Sequence, residues 1–230
     1  MNWIADRLVR PLAVSVIGLV VAACAGPGPQ PVTRDGAVVY PLSYGFYTLA
    51  PPSFRLEPVA RPGPESDLVL VFSTVPGAIN GTPSGGPLRE IPVQPGSTFE
   101  LPLPARLPER ATRFASRSLE IEPADTRVAR LGTFHEYPEY GMFRGGGGFI
   151  ERQSGAPLLL VYFSKPASLS GVIDDPGGVY QYEVTVERAG WCWLVARERG
   201  NDRFEVRRYT GALAGIEFAV LLPPMMLGSR

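Results

Sequence analysis

Apolar and polar residues alternate with a period of two through much of this chain. Tyr180, Tyr182, Val184 and Val186 alternate with Gln181, Glu183, Thr185 and Glu187. Phe99, Leu101 and Leu103 alternate with Thr98, Glu100 and Pro102, and Leu119-Glu120-Ile121-Glu122 repeats the pattern. Successive side chains of a strand point to opposite faces, so each run predicts a strand with one face buried. Leu68–Val75 and Trp191–Ala196 are apolar at every position, which predicts central strands covered on both faces. Ile216–Leu222 is a further apolar run of strand length. Phe204–Tyr209 returns from a turn at Gly200-Asn201. Residues 180–209 therefore predict three strands in an antiparallel meander. Ala37–Leu49 predicts an opening strand or hairpin, and Pro51–Glu65 a proline-rich connection. Leu107, Ala111, Phe114 and Ser118 have helical spacing, which allows one short helix.

One pattern occurs twice. Leu158–Gly171 reads as strand, turn, strand, and Leu68–Gly81 matches it about 90 residues earlier. Val161 falls on Val71, Tyr162 on Phe72, Pro166 on Pro76, Leu169 on Ile79 and Gly171 on Gly81. Upstream, Tyr137-Pro138-Glu139-Tyr140-Gly141-Met142-Phe143 matches Tyr40-Pro41-Leu42-Ser43-Tyr44-Gly45-Phe46. The expectation is an all-β, antiparallel, sandwich-like protein built from two tandem copies of a β unit. The copies would span residues 37–134 and 135–222, with a tail at 223–230.

Composition supports strands over helices. The 26 Gly and 25 Pro make up about a fifth of the 230 residues, and helix interiors tolerate neither. The formal net charge is zero, so the chain has no general attraction for nucleic acid.

The first 24 residues carry a different signal. Arg7 and Arg10 precede an apolar run from Leu12 to Ala23, too short to span a bilayer. It ends in Val21-Ala22-Ala23-Cys24, which resembles the lipobox of bacterial lipoproteins. The resemblance implies removal of residues 1–23 and acylation of Cys24, so that the membrane becomes a partner through an N-terminal acyl anchor. Ala25, where inner-membrane lipoproteins carry Asp, implies the outer membrane. The alternative is an ordinary secretory signal with a chance cysteine. Residues 24–36 read as the lipidated Cys and a Pro/Gly spacer. With Cys24 lipidated, Cys192 has no disulfide partner, and it reads as a small buried hydrophobe between two tryptophans.

No catalytic constellation is recognisable. His135, the single histidine, could join Glu136 and Glu139 as a metal site, but Pro138 denies these residues a helix. An ordinary loop is the simpler reading of His135 and its neighbours. Gly-x-Ser-x-Gly and Ser-x-x-Lys are absent. Asp174-Asp175-Pro176-Gly177-Gly178 reads as a turn, with calcium ligation as the alternative. Gly145–Gly148 reads as a flexible loop between the copies. The aromatics Tyr40, Tyr44, Phe46, Tyr47, Tyr137, Tyr140 and Phe143 suit core packing, and alternatively a sugar- or peptide-binding face. The expectation is a non-enzymatic envelope lipoprotein with no cofactor, acting on an envelope protein or glycan partner. A carboxylate-based envelope hydrolase and a metal-dependent binder are the alternatives.

Overall fold

A computed structural model describes residues 31–50, 55–59, 68–76, 87–93, 98–108, 118–137, 143–175 and 177–222. Cys24, Glu139, Tyr140, residues 1–23 and the tail 223–230 lie outside the described residues, as does most of the stretch with helical spacing. The described part is all-β, as the alternation predicts. Its helical content is a single 3-10 turn at Leu213–Gly215. Among the described residues no helix is long and apolar enough to cross a membrane.

The first described strand, β1 (Val32–Arg34), pairs with the start of β2 (Ala37–Ala50). The expected spacer therefore contains a strand at its C-terminal end. The 14 residues of β2 form one continuous strand. It carries β6 (Thr98–Pro104) and β3 (Arg55–Val59) on antiparallel registers. Thus the expected connection at 51–65 also contains a strand. β4 (Leu68–Pro76) pairs with β5 (Pro87–Val93) and with β8 (Val128–Tyr137). β9 (Phe143–Glu151) pairs with the end of β8, then with β10 (Pro157–Phe163) and β15 (Ile216–Leu221).

The remaining strands are β7 (Leu119–Glu122), β11 (Ala167–Asp175), β12 (Gly178–Val186), β13 (Gly190–Glu198) and β14 (Arg203–Arg208). β11 and β12 form a hairpin in which Asp175 faces Gly178, which places a turn where Asp-Pro-Gly predicts one. The expected meander is corrected here. β14 is antiparallel to β13, but β12 lies beside β14 in parallel, and β13 continues onto β10. The β12–β13 connection thus crosses the sheet and does not close a hairpin. β2 and β15 form a second parallel pair, so the sheet is mixed.

Two hydrophobic cores share one wall. The first collects Leu42, Phe72, Leu101, Phe149 and Phe218, with Phe72 stacked on Phe99 and Phe149 at ring distances of 6.1 Å. The second collects Ile121, Phe163, Leu169, Tyr182 and Val206. β10 and β13 lie between them. Leu158, Leu160, Trp193 and Val195 face the first core; Val161, Phe163, Cys192, Leu194 and Ala196 face the second. This is why Trp191–Ala196 is apolar at every position: period two places successive residues in different cores. The cores interleave along the chain. β9, β10, β13 and β15 contribute to the first core, and β7 to the second.

The matched stretches also differ. Ser164-Lys165-Pro166 breaks the second into β10 and β11, whereas β4 runs unbroken to Pro76; Gly77–Gly81 lie outside the described residues. Both β4 and β10 flank β8, which runs across residues 134 and 135.

Gly145–Gly148 is a further correction. It is part of β9 and not a loop. A Cβ built on Gly147 would lie 2.7 Å from Phe218 Cζ. Glycine is needed there because the buried Phe218 ring occupies the space a side chain would take.

Candidate functional site

His135 and Glu136 lie in β8, opposite Leu70 and Val69 of β4, and not in a surface loop. Their side chains and all of Glu139 fall outside the described residues. Among the described residues no group of three or more His, Cys, Asp or Glu side chains converges as a metal site.

Of the aromatics singled out in sequence, Tyr40, Tyr44 and Phe46 are buried in the first core. Tyr47 is half-buried, and its hydroxyl bonds Glu217. Tyr137 and Phe143 lie in β8 and β9.

The tertiary structure assembles a cleft of about 880 Å³ that no contiguous stretch announces. Its walls come from five places. They are Pro31 just before β1, Val38 and Tyr40 of β2, Ala105 after β6, the β12–β13 connection with Trp191–Trp193, and the segment from Arg208 to Leu213. The volume lies within the usual range for small-molecule sites, roughly 300–1,000 Å³.

Trp191 is half-buried and firmly placed. Its Nε1 donates to Pro104 O at 2.9 Å, and its ring meets Tyr162 edge-on at 5.5 Å. Trp193 is buried and packs edge-on against Tyr40 at 5.9 Å and Phe149 at 4.8 Å. Its Nε1 is buried with no hydrogen-bond partner among the described residues. A buried indole N–H ordinarily finds an acceptor, because leaving one unmet costs about 1–3 kcal/mol.

Cys192 lines the cleft and faces the second core. Burial raises its thiol pKa to about 11, partly opposed by Arg208. It is therefore a thiol and not a thiolate at neutral pH, as its reading as a buried hydrophobe implies. Burial also raises the Tyr40 phenol well above its ordinary range, which keeps it a neutral hydroxyl. At the rim, Arg208 Nη1 stands 3.8 Å from Glu187 Oε2, and Arg188 is exposed. The described rim thus holds two cations and one anion.

Among the described residues, the carboxylates that depart from ordinary behaviour are all held ionised. A hydrogen bond from Ser154 lowers the Glu151 pKa, aided by Arg197 Nη2 at 3.0 Å. Arg199 and Arg207 lower Glu205, and Lys165 lowers Asp125. A general acid needs the opposite shift.

A second polar cluster joins β2, β9 and β15. Glu217 is the one charged residue of β15 and is buried. Arg152 Nε donates to it at 2.8 Å, and Arg152 Nη2 also donates to Ser43 Oγ. Ser43 Oγ in turn donates to Ile216 O at 3.2 Å. A Cβ on Gly45 would lie 2.2 Å from Glu217 Oε1, so a missing side chain provides the carboxylate's space. This cluster satisfies itself and ties three strands together.

Little in the sequence marks the cleft. Trp191 and Trp193 are visible as aromatics, but their neighbours Tyr40, Ala105 and Arg208 are distant in the chain. No protein-family model, curated protein or solved structure matches the chain.

Proposed function

We propose that this chain is a lipid-anchored lipoprotein of the cell envelope that acts as a non-enzymatic binding module. The observation that carries the anchoring is Val21-Ala22-Ala23-Cys24 after a short apolar run and two arginines. Each buried methylene of an acyl chain contributes about 0.8 kcal/mol, so two or more chains hold a folded domain at a bilayer durably. Ala25 favours the outer membrane over the inner. Residues 25–31 then connect the acylated cysteine to β1, and Pro31 stands at the cleft.

The cleft supports binding over catalysis. It presents indole rings and arginines, while the shifted carboxylates among the described residues are held ionised by cations and a hydroxyl. An envelope protein or glycan is the partner class, and the membrane is contacted through the anchor.

Intact mass and membrane fractionation of the wild type beside Cys24→Ser test the anchor. Wild type loses residues 1–23, gains acyl mass and fractionates with the outer membrane; the variant does none of these. Identical processing and solubility of both forms would remove the lipoprotein reading. Crosslinking in intact envelopes tests the binding role, and recovery of no envelope protein or glycan would count against it.

A further inference from the structure

We propose that the Trp191–Trp193 cleft binds an anionic saccharide, an inference that rests on reading the chain as an envelope binding module. Three observations converge. The cleft is large enough for a short oligosaccharide, at about 880 Å³. Trp191 lines it, half-buried and held in place by its bond to Pro104 O. Arg188 and Arg208 line it against a single carboxylate, Glu187.

Each part of the ligand follows from one of these. A pyranose ring has apolar C–H faces and a rim of oxygen acceptors. The apolar faces suit a fixed aromatic ring, and Trp191 is fixed by its bond to Pro104 and its contact with Tyr162. A ligand carboxylate pairs with Arg208 or Arg188, since a guanidinium fork matches its two oxygens. At 3.8 Å and largely exposed, the Glu187 contact leaves Arg208 free to exchange partners. An acidic peptide would use the arginines equally, but it lacks the rigid ring that pairs a flat apolar face with surrounding acceptors.

The test uses the full, processed protein in detergent micelles. Once residues 1–23 are removed, Trp191 and Trp193 are the remaining two of the three tryptophans, so intrinsic fluorescence reports on the cleft directly. The probes are trigalacturonate, neutral maltotriose and a triglutamate peptide, with calorimetry as a second readout. Trigalacturonate is expected to saturate the fluorescence change, with maltotriose at least about tenfold weaker. Arg208→Gln is expected to weaken trigalacturonate about tenfold through loss of a charge-assisted bond. Arg188→Gln stands beside Arg208→Gln as an independent exposed change, and circular dichroism checks that each variant is folded.

Absence of saturable binding to trigalacturonate overturns the proposal. So does equal affinity for maltotriose, or binding indifferent to both arginine changes. Tighter binding of triglutamate replaces the saccharide with an acidic peptide. If trigalacturonate fails while envelope crosslinking still recovers a partner, the ligand class falls and the binding-module reading stands.

Discussion

Arg152 Nε donates to Glu217 Oε2 across 2.8 Å, although 65 residues separate them in the chain. Arg152 follows the last residue of β9, and Glu217 sits in β15, whose other residues are apolar. The carboxylate is largely buried, with 11% of its side chain exposed, while the arginine reaches solvent. Tyr47 and the gap above Gly45 complete its surroundings. Removing one partner of such a pair leaves a desolvated charge.

Arg152→Ala is therefore expected to destabilise the protein by about 2 kcal/mol or more, measured by urea unfolding. Arg152→Leu combined with Glu217→Leu should cost less than Arg152→Ala alone. A double change that equals the sum of its single changes would show that the two residues are not coupled.

Gly147 and Gly148 are neighbours with opposite surroundings. A Cβ on Gly147 meets Phe218 at 2.7 Å, whereas one on Gly148 meets nothing within 4 Å. Gly147→Ala should cost about 1–3 kcal/mol by overpacking the first core. Gly148→Ala should stay within about 0.5 kcal/mol of wild type. Equal unfolding midpoints for the two variants would contradict the placement of this glycine run inside β9.

Cys192 should resist alkylation. Its thiol pKa of about 11 leaves little thiolate at pH 8. Iodoacetamide is expected to modify the unfolded chain far faster than the folded one, with mass spectrometry following the adduct. The linkage has a definite sign. The folded thiol holds its proton up to higher pH than the unfolded thiol does, so its contribution to stability is present below the unfolded pKa near 9. That contribution is lost as pH rises towards 11. Cys192→Ala should flatten this part of the alkaline stability curve.

Glu151 gives the opposite sign at acid pH. Its folded pKa is depressed, first by Ser154 and then by Arg197. Its contribution is complete above the unfolded value, about 4.3 for glutamate, and is lost as pH falls through the lower folded value. Ser154→Ala should move the Glu151 carboxyl resonance titration upward towards the ordinary value, as followed by NMR. An unchanged titration would mean that the serine does not set it.

The sequence by itself determined which positions face a core and where several turns fall. Phe99, Leu101 and Leu103 of β6 are buried in alternation, as are Leu119 and Ile121 of β7 and Tyr182, Val184 and Val186 of β12. The Asp174–Gly178 turn and the Gly200-Asn201 turn were legible too, the latter with Asn201 and Asp202 at positive φ. These are local properties, fixed by period two and by turn chemistry within a few residues. The proposed acylation of Cys24 rests on the same kind of local signal, a contiguous resemblance to a lipobox.

Only the tertiary structure decided which strands meet. β12 lies parallel to β14, β13 serves two cores, and β8 takes both β4 and β10 as neighbours. An alternating strand records which of its faces is buried and carries no record of its partner. The same reason hid the cleft, whose residues run from Pro31 to Leu213 and become neighbours only through non-local pairing. It hid the use of the glycines as well. In one dimension Gly147 reads as flexibility and Gly45 as part of a repeated motif, and in three they are the spaces that Phe218 and Glu217 fill.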